Sequence, residues 1–217
     1  MNDDFFLPTY VINLRKRVER LEHIRKEFED KSEFKVTIIE AIEDPVGAAG
    51  LWKSMLHIIN LAVENEEDVI VICEDDHQFT KYYDKNFLFE NIIDANEQNA
   101  DILCGGISGG FNHVLPLTKN RFWIDGYWCN QFIVIYKKFF QTMLNTKFDR
   151  TKKVDQTLSG LTSNKMVMYP FISDQKFFGY SDVTQYNGEN PEWTTNRFDI
   201  AAEQFRIIQE VYMYYYK

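Results

Sequence analysis

Apolar positions along the chain fall into two alternating rhythms. Thr9 to Leu14 contains the run Tyr10-Val11-Ile12 and predicts a short strand. From Leu14 onward, Val18, Leu21, Ile24 and Phe28 recur at helical spacing and predict a first helix. Phe34 to Ile39 is β-branched and strand-like. Gly47 and Gly50 punctuate a loop, after which Leu51, Met55, Ile58 and Ala62 return to the helical period. Val69 to Cys73 is a continuous apolar run, the mark of a strand covered on both faces. A helix over Asn86 to Gln98 follows, then a strand from Asp101 to Cys104 closed by Gly105 and Gly106. Gln131 to Tyr136 is another strand, Lys137 to Asn145 a helix, and Lys165 to Tyr169 a last strand stopped by Pro170. Strands alternating with helices of this length predict an α/β sheet with several parallel members. In such open sheets the ligand site lies beyond the carboxyl ends of the strands.

The end of the buried run is where chemistry is expected. Val69-Ile70-Val71-Ile72-Cys73 leads straight into Glu74-Asp75-Asp76-His77. Three carboxylates at the tip of a central strand are costly unless positive charge sits among them. If the chain stays extended there, the period of two puts Glu74 and Asp76 on one side and Asp75 on the other. Glu74 and Asp76 together offer several oxygens to a hard divalent ion, Mn²⁺ or Mg²⁺, whose shell a diphosphate and waters would complete. The alternative is that the acids only begin a solvated loop or cap a helix.

Charge and composition narrow the partners. Against 24 Lys and Arg stand 33 Asp and Glu, a formal charge of −9 that disfavours nucleic acid as the main ligand. Cys73, Cys104 and Cys129 show no CxxC pair, and the expected state is reduced thiols. The start, Met-Asn-Asp-Asp-Phe-Phe, has no basic region followed by an apolar stretch, and no run approaches the ~18 apolar residues of a membrane span. A cytoplasmic protein is expected, working in solution or at the inner face of the membrane.

With the acidic triplet placed, the chain resembles glycosyltransferase family 25, which includes lipopolysaccharide-type and collagen galactosyltransferases. The similar blocks run in order: Val11-Ile12-Asn13-Leu14 with the basic stretch to Arg20, Gly50 to Ser54, Val71 to Asp76, Val154-Asp155-Gln156-Thr157-Leu158, and Pro170-Phe171-Ile172 through Gln175 to Ser181-Asp182. The resemblance implies a GT-A-like α/β sandwich with a mostly parallel sheet, a nucleotide-sugar donor (often UDP-galactose) and a metal held by the triplet. It places Asn13, Arg20, Ser54, Glu74, Asp75, Gln175 and Asp182 at the sugar donor, with Glu74 and Asp76 on the metal. Where the family commonly has Ser-His, this chain has Ser54-Met55, with His57 as the nearest substitute.

Asp155 opens a short helical stretch. It either caps that helix or serves as the base that takes the proton of the accepting hydroxyl in an inverting transfer. Gln175 and Asp182 either reach the diphosphate or pin their loop. The first-strand arginines, Arg15, Arg17 and Arg20, suit phosphate, or form a solvated helix face with Glu19, Glu22 and Glu27. Gly105, Gly106, Gly109 and Gly110 match no phosphate-loop fingerprint and read as a flexible loop.

Phe198, Ala201 or Ala202, Phe205, Ile208, Tyr212 and Tyr215 recur at helical intervals and predict a terminal helix. Its aromatic end, Tyr212 to Tyr216, packs on the body or offers a face to a homodimer partner or to a membrane carrying a lipid-linked acceptor. The whole chain, 1–217, is expected to be one glycosyltransferase domain with 183–217 as an appended loop and helix. It would move a hexose, galactose favoured, to a hydroxyl of a cell-surface glycan. The alternatives are a catalytically silent nucleotide- or partner-binding protein of the same fold, and a metal-dependent phosphohydrolase.

Overall fold

A computed structural model of the chain describes residues 6–179 and 191–216. Among these, eight strands form one sheet in the order β2-β1-β3-β8-β5-β9-β7-β6. β1 (Leu7–Asn13) lies parallel between β2 (Phe34–Glu40) and β3 (Val69–Glu74). β8 (Phe132–Tyr136) runs antiparallel to both β3 and β5 (Ile102–Cys104), and β9 (Lys165–Met168) is parallel to β5. A hairpin of β6 (Val114–Thr118) and β7 (Arg121–Ile124) completes the far edge. Only β8 and β7 run against the common direction, so the expected mostly parallel sheet is present.

Helices cover both faces, giving three layers. The strict alternation of β3 shows why its apolar run is continuous. Ile70 and Ile72 enter one core with Trp52, Met55 and Ile58 of α2 (Gly47–Glu64), while Val71 and Cys73 enter the other with Ile24 and Phe28 of α1 (Val18–Phe28). α3 (Lys85–Glu97) joins α1 on its face, and α4 (Lys137–Leu144) and α5 (Val154–Leu161) join α2. All these core positions of β3 are fully buried, worth roughly 1.5–3 kcal/mol for each large aliphatic side chain removed from water.

Several expectations need correction. Gly47 and Gly50 lie within α2 rather than in a loop. At Gly50 a Cβ would stand 2.5 Å from the carbonyl oxygen of Ile42, so glycine here permits α2 to pack onto the strand-to-helix connection. The hairpin β6–β7 and two short strands, β4 (His77–Phe79) and β10 (Ser173–Gln175), which pair with each other, carry too few apolar alternations to stand out in the sequence. β6 contains Pro116, shifts register between Pro116 and Thr118, and leaves Leu115 exposed at the sheet margin.

The terminal helix forms as α6 (Pro191–Tyr215) and seats Phe198, Ala201 and Phe205 in the core beside Phe111, Phe122 and Phe171. Its aromatic end does not pack: Tyr214, Tyr215 and Tyr216 are 72–74% exposed. No helix among the described residues is long and apolar enough to cross a membrane.

Candidate active site

A cleft of about 460 Å³ opens at the carboxyl ends of β1, β2 and β3, where the sheet rule places a ligand. Its walls include all three acids of the triplet together with Arg17, Arg20, Asp155 and Gln175.

The extended chain ends at Glu74. Asp75 and Asp76 form a turn into β4, so strict alternation does not govern them as expected. The outcome still separates the middle acid from its neighbours. Asp75 is buried and accepts hydrogen bonds from Asn13 Nδ2 (2.8 Å) and Arg20 Nη1 (3.0 Å). Asp76 receives the same guanidinium at 3.3 Å and the Gln175 amide at 3.5 Å, while its carbonyl accepts Lys176 N–H at 2.8 Å. Arg20 is held in place by Phe178, whose ring centre is 4.8 Å from its guanidinium carbon. Thus one buried arginine is shared by two carboxylates, and the Glu74 carboxylate has no ion-pair or hydrogen-bond partner among the described residues.

The electrostatics follow from that shortage of positive charge. Burial, then the charges of Asp76, Asp75 and Asp155, push the Glu74 carboxyl well above the usual range, with Arg20 opposing. Burial likewise raises Asp76 to about 6, with Arg20 pulling down and Asp75 pushing up. Both side chains retain part of their surface on the cleft.

Asp155 faces them from the first turn of α5. Its Oδ1 accepts the Gln156 N–H at 2.7 Å and its Oδ2 the Cys129 N–H at 3.2 Å, while Gln156 Oε1 accepts the Lys153 N–H at 3.3 Å. The cap of α5 is thus Lys153 with Gln156, and Asp155 satisfies one further first-turn N–H; its carboxyl remains on the cleft wall, and burial raises its pKa against the pull of those two N–H groups. A carboxylate made more basic by burial suits proton removal.

Other predicted residues lie elsewhere. Ser54 is fully buried away from the cleft wall: its hydroxyl donates to the Gly50 carbonyl at 2.9 Å and accepts Ile42 N–H at 2.8 Å, tying α2 to the loop that does line the cleft. Met55 sits in the main core and His57 on the exposed side of α2, so neither meets the cleft. Arg15 is exposed. His77 is turned into an aromatic cluster with Phe79 and Phe132 and bonds Ser173 Oγ at 2.7 Å, a core histidine rather than a ligand. Asp182 lies outside the described residues.

Sequence reasoning missed three parts of the site. Asp44, in the loop after β2, is bound by Arg150 (2.6 Å) and Lys53 (2.7 Å), which hold its carboxyl below the usual range and pin that loop to the one before α5. Trp128 and Asn130 line the wall near Asp155, and Cys129 between them has φ 81°. Their only sequence signal was two glycines, Gly109 and Gly110, which read as flexible. Instead both are closely packed against the Trp128 indole and backbone.

Two carboxylates that open on a cleft without sufficient counter-charge fit a hard divalent cation. Among the described residues no three His, Cys, Asp or Glu side chains gather tightly enough to hold an ion alone. Glu74 and Asp76 would therefore supply only part of a coordination shell.

No family model matches the chain, and no curated protein matches it in sequence. Among solved structures it is similar to A197 from STIV, with TM-score 0.53 and 10% identity over 82% of this chain and 87% of that one. It is also similar to a glycosyltransferase involved in the glycosylation of the major capsid of PBCV-1, with TM-score 0.46 and 12% identity over 75% and 81% of the two chains. A UDP-glucose pyrophosphorylase complexed with UDP-glucose gives TM-score 0.47 and 10% identity over 91% and 81%. At such identities the likeness is one of fold. That fold is a three-layer α/β sandwich in which a reversed strand, β8, divides the parallel strands that carry the acidic turn from those beyond it.

Proposed function

We propose that the protein is a metal-dependent glycosyltransferase that moves a hexose from a nucleoside-diphosphate sugar to an acceptor hydroxyl. The observation that carries this reading is the placement of Glu74 and Asp76 on one cleft with Asp155, at the strand ends where the fold binds ligands. The ordered blocks resembling family 25 support galactose as the sugar, a UDP carrier and a cell-surface glycan as destination.

A divalent ion, when bound, would neutralise charge on the diphosphate as it leaves. Glu74 and Asp76 would hold that ion, and Asp75 would keep Arg20 and Asn13 in register behind them. Arg20 and Arg17 would meet phosphate oxygens at the basic side of the cleft. Asp155 would accept the proton of the attacking hydroxyl as its oxygen bonds to the anomeric carbon and the bond to the diphosphate breaks. Its two N–H bonds fix the carboxyl's orientation for that transfer.

Calorimetric titration of uridine diphosphate with and without Mn²⁺ tests the reading. Binding should require the metal and weaken at least tenfold in Asp76→Ala. Asp155→Asn should leave binding intact and lower sugar transfer by roughly 10²–10⁴-fold. Equal nucleotide affinity in the presence of a chelator would refute metal dependence, and no binding at all would end the proposal.

A further inference from the structure

The cleft has a second end that the reading above leaves unused. Beyond Asp155 its wall is made by the segment between β7 and β8, and this wall is built with care. Trp128 keeps 38% of its surface exposed, even with the Arg197 guanidinium 5.0 Å from its ring centre. Its backbone is clasped on both sides: Trp128 N–H donates to the Gly109 carbonyl at 2.9 Å and its carbonyl accepts Ser108 N–H at 3.3 Å. Cys129 follows at φ 81°, a conformation that costs a non-glycine residue of order 1 kcal/mol or more and that persists where neighbours enforce it. The same residue's N–H is bonded to Asp155, so indole and carboxylate are positioned by one strained peptide.

Next comes Asn130. It is 4% exposed, lines the cleft, and its side-chain oxygen has no hydrogen-bond partner. A buried amide oxygen left unmatched costs roughly 1–3 kcal/mol, which a hydroxyl from a ligand would recover.

An open aromatic surface beside a buried hydrogen-bond acceptor and a basic carboxylate has the chemistry of a pyranose site. The C–H face of a sugar lies on the indole, and its hydroxyls supply what the amide and the carboxylate need. We infer that Trp128 and Asn130 form the acceptor subsite, and that the accepting molecule presents a sugar ring rather than a serine side chain. Trp128 carries the ring, Asn130 fixes its rotation through one hydroxyl, and a neighbouring hydroxyl reaches Asp155. The inference rests on the transferase reading and assigns to its glycan acceptor the residues that would bind it.

Saturation-transfer NMR on the full chain with uridine diphosphate and Mn²⁺ tests it, using methyl β-galactoside, methyl β-glucoside and a serine-containing tripeptide as probes. At least one glycoside should bind the native protein. Trp128→Ala should weaken that binding at least tenfold, Trp128→Phe should restore most of it, and Asn130→Leu should weaken it several-fold. Thermal midpoint and calorimetric nucleotide binding report whether each variant is folded. Failure of nucleotide binding in the native protein sinks the transferase reading itself. Nucleotide binding without glycoside binding, glycoside binding indifferent to Trp128→Ala in a folded variant, or Trp128-dependent binding of the tripeptide alone overturns only the acceptor assignment.

Discussion

At the end of the cleft beneath β1 and α1, charged groups are held by one another: Asp75 is gripped by Asn13 and Arg20, all on regular elements or the turn directly after one. At the end beneath Trp128, the groups are held by backbone. Cys129 N–H positions Asp155, two glycines seat the indole, and a left-handed residue joins them. Ion pairs among buried side chains fail abruptly when one partner is lost. A backbone-built wall fails gradually, because each strained peptide carries a limited share. The comparison teaches that this cleft has a rigid electrostatic half and a shape-determined half, and they should respond differently to mutation.

The largest effect should come from Arg20→Ala. Asp75 and Arg20 are each less than 10% exposed in their side chains, and removal of the guanidinium strands a buried carboxylate. A loss of about 3 kcal/mol is expected, seen as a lower urea midpoint. If the midpoint is unchanged, the rigid half is not electrostatic in origin.

Gly110→Ala should cost less, about 2 kcal/mol. Its φ is +86°, and a Cβ would lie 2.6 Å from the Trp128 ring and 2.7 Å from its backbone nitrogen. The sharper expectation is selectivity: tryptophan fluorescence should shift while uridine diphosphate binding stays within about threefold. Equal damage to both ends would erase the distinction between them.

The smallest effect concerns pH in the metal-free protein. Asp76 titrates at about 6 when folded against an ordinary 3.8, so the folded state holds more protons across that window. Stability contributed by the protonated group is present below about pH 4 and lost as pH rises through about 6. Asp76→Asn should flatten this slope and raise the thermal midpoint above pH 6 by a few degrees. Added Mn²⁺ should raise the midpoint of the native protein alone.

The same division governs what could be read from the chain. β3 and its acidic tip were legible because a run buried on both faces is apolar throughout; Arg20, singled out by its match to the family-like blocks, and Asp155, singled out at a helix start, both lie on the cleft wall. Gln175 was named, but its 3.5 Å approach to Asp76 joins residues far apart in the chain through the β4–β10 pair, which local pattern does not announce. Ser54 was placed at the donor by its resemblance to a family motif alone, and no local pattern announces that the Ile42 N–H and the Gly50 carbonyl occupy its hydroxyl. Trp128 and Asn130 went unnoticed because their significance arises only when the loop after β5 folds against the segment before β8. The exposed tyrosines at the end of α6 show the converse case, a helical period that the sequence announces continuing past the point where there is anything left to cover.

The proline in β6 bears on how the molecule behaves in a crowded solution. An outermost strand with an exposed leucine invites another chain to add alongside it and begin an open-ended stack. Here the strand is only five residues long, lacks one N–H at Pro116, and breaks register immediately afterward, so an incoming chain finds no continuous ladder to copy. The sheet therefore presents a broken ladder at this margin.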